Sequence, residues 1–188
     1  VLTNRGARAG DVLILTKGLG VGILSAAFKQ EKLADAGYAA LIGSTTQLNT
    51  PGAKLAGRTG VHAVTDVTGF GLLGHGLEMA RGSNLTVEIE AAAAPLLDGV
   101  EVMARDGMRT GASGRNWASY GEGVVLPEGF DAWQRDLLTD PQTSGGLLIA
   151  VAADQAGAVL DLVRADGFDR AAVVGRVIEG PAVVRVIG

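Results

Sequence analysis

The sequence contains no cysteine in its 188 residues. This absence excludes disulfide bonds, thiolate metal sites and a cysteine nucleophile within the chain, and it fits a reducing cytoplasm, where we expect the protein to function. Aromatic residues make up only 4% and the formal net charge is −4, so we expect no nucleic-acid partner. No apolar run is long enough to cross a bilayer and no signal peptide is recognisable, so no membrane association is expected.

Glycine, in contrast, is abundant, with 29 residues, about twice the usual share of ~7%. This composition favours tight turns and close approaches between backbone segments. The length suits one domain with a core of its own. Residues 1–9 show no periodicity and are interpreted as a linker or interdomain tail, and residues 10–188 as a single domain. Because the chain begins with Val rather than Met, we expect it to be a piece of a longer protein.

One stretch predicts a strand, a tight turn and a helix in direct succession. Residues 61–64 form a largely apolar run that indicates a strand. Phe70, Leu73 and Leu77 then follow the i, i+3, i+7 spacing of one helix face. The helix is therefore expected to begin just after Gly69.

The turn between these two elements carries the clearest chemical signal. Asp66 lies at the end of the strand, where a carboxylate is held rigidly and still reaches solvent, which suits a Mg²⁺ ligand. The backbone N–H groups of Thr68, Gly69 and Gly71 lie at the helix N-terminus, where an anion such as phosphate is favoured. The alternative is that Asp66 and Thr68 only cap the helix.

A second glycine-rich loop, residues 16–22, follows a predicted strand over residues 12–15 and precedes a helical pattern. A strand, a glycine loop and a helix in this order can receive phosphate, and Lys17 is the candidate contact. However, Lys17 precedes the glycines, whereas the lysine of a P-loop follows them. A plain turn is the alternative interpretation.

A third loop, residues 140–146, precedes an apolar strand over residues 147–151. Ser144, Gly145 and Gly146 offer a hydroxyl group and backbone donors to an anion, although a turn that simply requires small residues is equally compatible with the pattern. Asp140, at the start of this loop, is a second candidate acid after Asp66.

The remaining elements alternate in a mixed order. Residues 34–56 predict a helix interrupted at Pro51, and the period-two pattern of residues 85–89 predicts a half-exposed strand. Residues 171–177 and 182–186 predict the last two strands, with a hairpin-like connection. The fold class is therefore expected to be α+β, a mixed sheet with packed helices rather than a doubly wound sheet.

Two further groups have more than one interpretation. His75 lies one helical turn before Glu78, an arrangement that stabilises a helix by only ~0.2–0.5 kcal/mol, and without cysteine or a paired histidine a zinc site is not expected. Residues 114–121 place Arg115 near two aromatic side chains, which suggests either a ligand loop or, as we favour, core anchors with polar tips.

Three blocks, residues 66–75 (DVTGFGLLGH), 114–121 (GRNWASYG) and 138–148 (LTDPQTSGGLL), closely resemble the C-terminal half of the selenophosphate synthetase family, also called selenide, water dikinase. That family is related to aminoimidazole ribonucleotide synthetase, and the resemblance implies the C-terminal domain fold of that enzyme. It extends from about Gly10 to the last residue. In the loop at residues 16–22 this sequence departs from the usual Lys-Pro-Leu-Gly-Thr-Gly pattern, because Gly18 replaces the proline and Val21 the threonine.

The resemblance implies a reaction in which ATP, selenide and water give selenophosphate, orthophosphate and AMP with the help of Mg²⁺. Of the family's metal-binding acids, only Asp66 has a counterpart here. The implied partners are an N-terminal ATP-binding domain, which this chain lacks, and a second copy of the complete enzyme in a homodimer. The chain alone is therefore expected to be inactive. A non-catalytic anion-binding or docking module, and a related synthetase acting on a phosphoribosyl substrate, are the alternatives.

Overall fold

The fold is built on one mixed sheet, seen in a computed structural model that describes residues 2–188. Its strands are β1 (Val12–Leu15), β2 (Val61–Asp66), β3 (Thr86–Glu90), β4 (Val124–Val125), β5 (Leu147–Val151), β6 (Ala172–Ile178) and β7 (Val184–Ile187). The helices are α1 (Val21–Lys29), α2 (Asp35–Thr46), α3 (Pro51–Leu55), α4 (Gly71–Ser83), α5 (Val100–Arg105), α6 (Gly111–Tyr120), α7 (Ala132–Leu138) and α8 (Ala156–Ala165). The predicted break near Pro51 is confirmed, since Pro51 opens α3.

The strands lie in the order β2-β5-β1-β6-β3-β7-β4. Pairing is antiparallel from β2 through β5, β1 and β6 to β3, and parallel where β7 joins β3 and β4. β2, which ends at Asp66, is an edge strand that pairs with β5 alone. The site-bearing end of β2 is consequently placed beside the start of β5.

Both faces of the sheet are covered. Leu13 and Leu15 of β1 face a core that includes residues of α1 and α4, whereas Ile14 faces a second core formed with α3 and α8. This burial on both faces explains why β5 is a continuous apolar run and not an alternating one. The predicted α+β class, with helices packed on a mixed sheet, is confirmed. Within residues 2–188, no helix combines the length and apolarity needed to span a bilayer.

The expected hairpin between the last two strands is wrong. β3 lies between β6 and β7, so that Val87 is in register with Val177 on one side and with Val184 on the other. The backbone groups that a hairpin would pair are therefore already bonded to β3. Local turn signals cannot reveal such an insertion, because the inserted strand comes from much earlier in the chain.

The expectation that residues 85–89 are half exposed is also wrong. Thr86 and Glu88, the polar residues of the alternating pattern, are both 97% buried. Glu88 accepts hydrogen bonds from Arg176 (2.7 Å) and Arg185 (2.9 Å) on the two neighbouring strands. Burial alone would raise the pKa of this carboxyl, but the hydrogen bonds and charges of the two guanidinium groups lower it below its usual value.

Residues 2–9 form neither a helix nor a strand, and some of them lie along the edge of β2. The carbonyl oxygen of Thr3 accepts a hydrogen bond from Val64 (2.9 Å), and Ala7 is buried, donating its backbone N–H to the hydroxyl of Ser83 (3.1 Å). These contacts cover part of an otherwise open sheet edge. Their interpretation as a linker or interdomain tail stays a prediction.

Candidate phosphate and metal site

The candidate site is the turn over residues 66–71, between β2 and α4. Asp66 is exposed, and its carboxylate forms no hydrogen bond or ion pair with any side chain or backbone group of residues 2–188. Gly71 begins α4 with φ = 71°, and a Cβ there would lie 2.7 Å from the carbonyl carbon of Thr139. Only glycine fits this position without strain.

Three successive carbonyl groups of the turn are each held by a donor from elsewhere in the chain. The Thr68 oxygen accepts from the backbone N–H of Gln142 (3.0 Å), and the Gly69 oxygen from the side-chain amide of Asn116 (2.8 Å). The Phe70 oxygen accepts from the Tyr120 hydroxyl. The three sequence blocks recognised above therefore meet at this turn, since Asn116 and Tyr120 lie in the second block and Gln142 in the third.

Three N–H groups of the same turn remain available. That of Gly71, which was predicted as a donor to an anion, is not among them, because it donates to the Thr68 carbonyl oxygen (3.1 Å). The backbone N–H groups of Thr68, Gly69 and Phe70 donate to no acceptor within residues 2–188. They lie at the N-terminus of α4, a 13-residue helix whose dipole favours an anion at this end. With three carbonyl groups held and three amides free, the turn presents donors together with one unpaired carboxylate.

The alternative that Asp66 and Thr68 cap α4 is contradicted, because no side chain caps this helix. The Thr68 hydroxyl instead lies 3.1 Å from Nε2 of His75, and Nδ1 of His75 lies 3.0 Å from a carboxylate oxygen of Glu78. Phe70, expected on the buried face of the helix, is half exposed and precedes its first turn. Its ring packs at 5.7 Å from the imidazole of His75.

The loop at residues 140–146 packs against the turn and is hydrogen-bonded to it. Gly145 lies so close to Val67 that a Cβ would overlap the Val67 carbonyl oxygen. The carbonyl oxygen of Gly146 accepts from the backbone N–H of Val67 (2.8 Å). Ser144 is exposed, whereas Gly145 and Gly146 are buried. The two glycines thus have a packing role here, and their contact with phosphate stays a prediction.

Lys17 is buried, and its ammonium group donates to the carbonyl oxygens of Ser44 (2.9 Å), Gln47 (2.7 Å) and Ser144 (2.7 Å). Burial lowers the pKa of this amine. All three of its donors are used within the protein, so a contact with phosphate would require the loss of one of these bonds. Its observed role is to tie the third loop to α2. A cavity of about 480 Å³ lies beside Lys17 and α2, and no other predicted site residue lines it.

Where the glycine loop at residues 16–22 meets α1, its backbone donors are already bonded. One carboxylate oxygen of Asp140 accepts from the backbone N–H groups of Gly22 (2.9 Å) and Ile23 (3.2 Å) at the start of α1. The side-chain oxygen of Gln142 accepts from those of Gly20 and Val21. The anion position at this helix is therefore filled by the protein's own side chains, which agrees with the plain-turn interpretation.

Asp140 is fully buried and so cannot reach a cation in solvent. Burial raises its pKa to about 7, although the three hydrogen bonds to its oxygen, from Ile23, Gly22 and Gln142, act in the opposite direction. Its role is structural, as a cap for α1.

Within residues 2–188, no cluster of three or more acidic or histidine side chains could hold a metal ion. Asp66 would thus be a single ligand, and the donors that complete a Mg²⁺ shell must come from water, substrate or another domain.

Several residues of the site were missed or misjudged from sequence. Asn116 was given no role, whereas it lies on α6 and donates to the turn. Tyr120, also on α6, packs against the core and donates its hydroxyl to the turn, which agrees with its interpretation as a core anchor with a polar tip. Asn49, which lies between α2 and α3, donates its side-chain amide to the carbonyl oxygen of Gly145 (2.8 Å). Membership of the recognised blocks was the one signal for Asn116, Tyr120 and Gln142.

The mixed sheet and the turn at the end of β2 define a class of protein: the chain belongs to the family described as AIR synthase related protein, C-terminal domain, whose model matches residues 8–188. Within this family its curated relatives include proteins named selenide, water dikinase. That of Burkholderia ambifaria is 59% identical over 186 residues, or 99% of this chain and 52% of the relative. That of Paraburkholderia xenovorans is 57% identical over 187 residues, or 100% of this chain and 53% of the relative. The chain spans about half the length of these relatives, and the resemblance seen in the three blocks is confirmed.

Solved structures share the fold at low sequence identity. The hydrogenase maturation protein HypE of E. coli has a TM-score of 0.72 at 23% identity, covering 100% of this chain and 49% of that protein. A HypE structure described as a complex with ATP has a TM-score of 0.65 at 19% identity, covering 95% of this chain and 45% of that protein. These structures establish the fold as that of AIR synthase-like proteins.

Proposed function

We propose that this chain is the C-terminal part of an enzyme that converts selenide, ATP and water into selenophosphate, AMP and orthophosphate. Within that enzyme it would supply one Mg²⁺ ligand, Asp66, and one wall of the phosphate cleft. The observation that carries the proposal is the turn at residues 66–71, which combines free backbone donors with an unpaired carboxylate. The names of the curated relatives support the reaction, and the HypE complex with ATP supports ATP as the substrate.

The residues of the chain fit the groups that such a reaction requires. Phosphoryl transfer depends mainly on positioning and on neutralising the charge of the phosphates. Mg²⁺, when bound, would supply most of that neutralisation. The N–H groups of Thr68, Gly69 and Phe70 would hold a phosphate oxygen near it, and they are fixed in place before binding because their carbonyl groups are bonded to Gln142, Asn116 and Tyr120.

The other residues that were predicted to contact phosphate have different roles in this proposal. Gly71 gives the turn its shape, and Ser144 is the exposed donor of the third loop. Gly145, Gly146 and Lys17 act indirectly by placing that loop against Val67. We further propose that the missing ATP-binding domain docks on the face that carries Asp66 and that the complete enzyme is a homodimer.

The test uses a grafted enzyme, in which this chain replaces the matching part of the Burkholderia ambifaria relative. Anaerobic phosphorus NMR with ATP, selenide and Mg²⁺ should show selenophosphate and AMP. Asp66→Asn should lower the rate at least ~100-fold, because metal charge stabilisation is worth several kcal/mol. Asp161→Asn, which alters an exposed acid on α8, is the matched control and should leave the rate unchanged.

The outcomes separate the alternatives. If no selenophosphate forms, the selenium assignment is wrong and a related synthetase of the same family becomes the better description. If selenophosphate forms equally well with Asp66→Asn, Asp66 is not a metal ligand.

A further inference from the structure

A hydrogen-bonded triad leads away from the candidate site into the protein. It consists of the Thr68 hydroxyl, the imidazole of His75 and the carboxylate of Glu78, with distances of 3.1 Å between Thr68 Oγ1 and His75 Nε2 and 3.0 Å between His75 Nδ1 and Glu78 Oε2. His75 is buried, whereas the Glu78 side chain is 43% exposed. The triad therefore connects the turn to solvent through a buried imidazole.

Glu78, which contacts Nδ1 of His75, decides which nitrogen of a neutral imidazole carries the proton. An ionised carboxylate only accepts hydrogen bonds, so Glu78 requires a proton on Nδ1. In the neutral imidazole Nε2 is then an acceptor, and the Thr68 hydroxyl donates to it. In this tautomer the lone pairs of the Thr68 oxygen point away from His75. This is the arrangement of acid, imidazole and hydroxyl that activates a hydroxyl group in other enzymes.

We propose that Thr68 is a catalytic residue that accepts the proton of the attacking water, and that His75 and Glu78 are its positioning residues; this rests on the proposed function. The water oxygen forms a bond to phosphorus as the phosphorus–oxygen bond to the leaving group breaks, and the leaving oxygen keeps the electron pair. The water proton passes to the Thr68 oxygen, and the Thr68 proton passes to His75 Nε2. The imidazolium so formed is stabilised by Glu78, through which the proton can leave to solvent.

The other histidine provides an internal comparison. His62 contacts the carboxylate of Asp11 at 2.8 and 2.9 Å and bonds no residue of the turn. A histidine needed only for packing would behave like His62 when it is replaced. His62→Gln is therefore the matched control for His75→Gln.

The first experiment tests the triad itself in this chain, independently of any reaction. Since the sequence has two histidines, selective ¹⁵N-histidine labelling gives two sets of ring signals, which His62→Gln assigns. We expect His75 in the form protonated at Nδ1. In Glu78→Gln this preference should weaken, because an amide can donate as well as accept. A His75 protonated at Nε2 alone would overturn the proposal, since Thr68 could not then donate to it.

The second experiment measures turnover in the grafted enzyme. Thr68→Val should lower kcat about 100-fold or more, the usual contribution of proton transfer, with little change in the KM for ATP. Thr68→Ser, which keeps the hydroxyl, should restore most of the rate, and His75→Gln should lower kcat in the same direction as Thr68→Val. His62→Gln should leave kcat unchanged.

These results distinguish the two proposals from each other. An unmutated grafted enzyme that makes no selenophosphate contradicts the proposed function, while the labelling experiment still decides whether the triad exists. An active grafted enzyme whose kcat is unaffected by Thr68→Val overturns the catalytic role of Thr68 and leaves the proposed function intact. Equal losses in Thr68→Val and Thr68→Ser would show that the position matters for packing and not for its hydroxyl.

Discussion

Gly145 packs directly against the backbone of the turn at residues 66–71. A Cβ at this position would overlap the carbonyl oxygen of Val67, and neither backbone segment can move without loss of other bonds. We therefore expect Gly145→Ala to lower the free energy of unfolding by at least ~2 kcal/mol, the range of severe overpacking. Urea denaturation followed by circular dichroism measures this change.

Gly157 is the matched control for that substitution. It lies exposed in α8, and a Cβ there would contact nothing within 4 Å. Gly157→Ala should raise the free energy of unfolding by ~0.5–1 kcal/mol, because alanine loses less backbone entropy in a helix. Equal stability of the two variants would mean that Gly145 does not approach Val67 as described.

Asp140 gives the stability of the protein a specific pH dependence. Its pKa is raised to about 7 in the folded state, against about 3.9 for an unfolded aspartate. Its contribution to stability is therefore present below the unfolded pKa and is lost as the pH rises through the folded value. We expect the free energy of unfolding to fall between about pH 4 and pH 7 through this group.

Denaturation at a series of pH values, compared with Asp140→Asn, measures that contribution. The variant should show a flatter profile in this window, whereas Asp161→Asn should keep the profile of the unmodified chain. A carbon NMR titration of the Asp140 carboxyl provides a direct check, with a midpoint near pH 7 expected. A parallel profile in Asp140→Asn would contradict the assignment.

At the residue scale, the sequence predicted where a residue lies along a strand or loop better than which groups surround its side chain. The strand end and the exposure of Asp66 followed from the local pattern of residues 61–71. The burial of Lys17 did not, because the three carbonyl groups that surround it come from α2 and from the third loop. Long-range backbone contacts of this kind leave no local signal.

At the element scale, α6 fixes the geometry of the turn. Asn116 and Tyr120, one helical turn apart, donate to the carbonyl groups of Gly69 and Phe70. We expect Asn116→Ala to release the Gly69 carbonyl and to cost ~1 kcal/mol of stability. The NMR order parameters of the Gly69 and Phe70 amides should fall from values near 0.85 toward those of flexible backbone, below about 0.6.

Ser119→Ala is the control on the same helix, since Ser119 is exposed and bonds nothing in the turn. In Ser119→Ala, the order parameters of the Gly69 and Phe70 amides should match those of the unmodified chain. A rigid turn in Asn116→Ala would show that Tyr120 and Gln142 hold it without help from Asn116.

Elements with strong local patterns were predicted well, and pairings were not. β1, β5 and the interruption at Pro51 could be predicted because apolar runs and proline act locally. The placement of β3 between β6 and β7 could not, and this made residues 85–89 appear half exposed. An alternating pattern predicts exposure on one face only when that face has no partners, and here Arg176 and Arg185 cover it.

At the scale of the whole molecule, we expect the chain alone to form no AMP from ATP. In our proposal it supplies one acidic ligand and one turn for phosphate, whereas phosphoryl transfer requires several groups around the phosphates. Incubation with ATP and Mg²⁺, followed by chromatography of the nucleotides, tests this expectation. Formation of AMP above the level given by Asp66→Asn would contradict it and would show that the chain contains a complete active site.

The segments that hold the turn also determine at which stage of synthesis the site can form. β2 pairs with β5 alone, and the turn is held by α6 and by the loop at residues 140–146, all of which are synthesised later than the turn itself. A nascent chain on the ribosome therefore carries Asp66 and Gly69 long before it can bind an anion with them. The proposed binding of phosphate or metal therefore requires β5 to have paired with β2, and it would stabilise only molecules that have reached this stage.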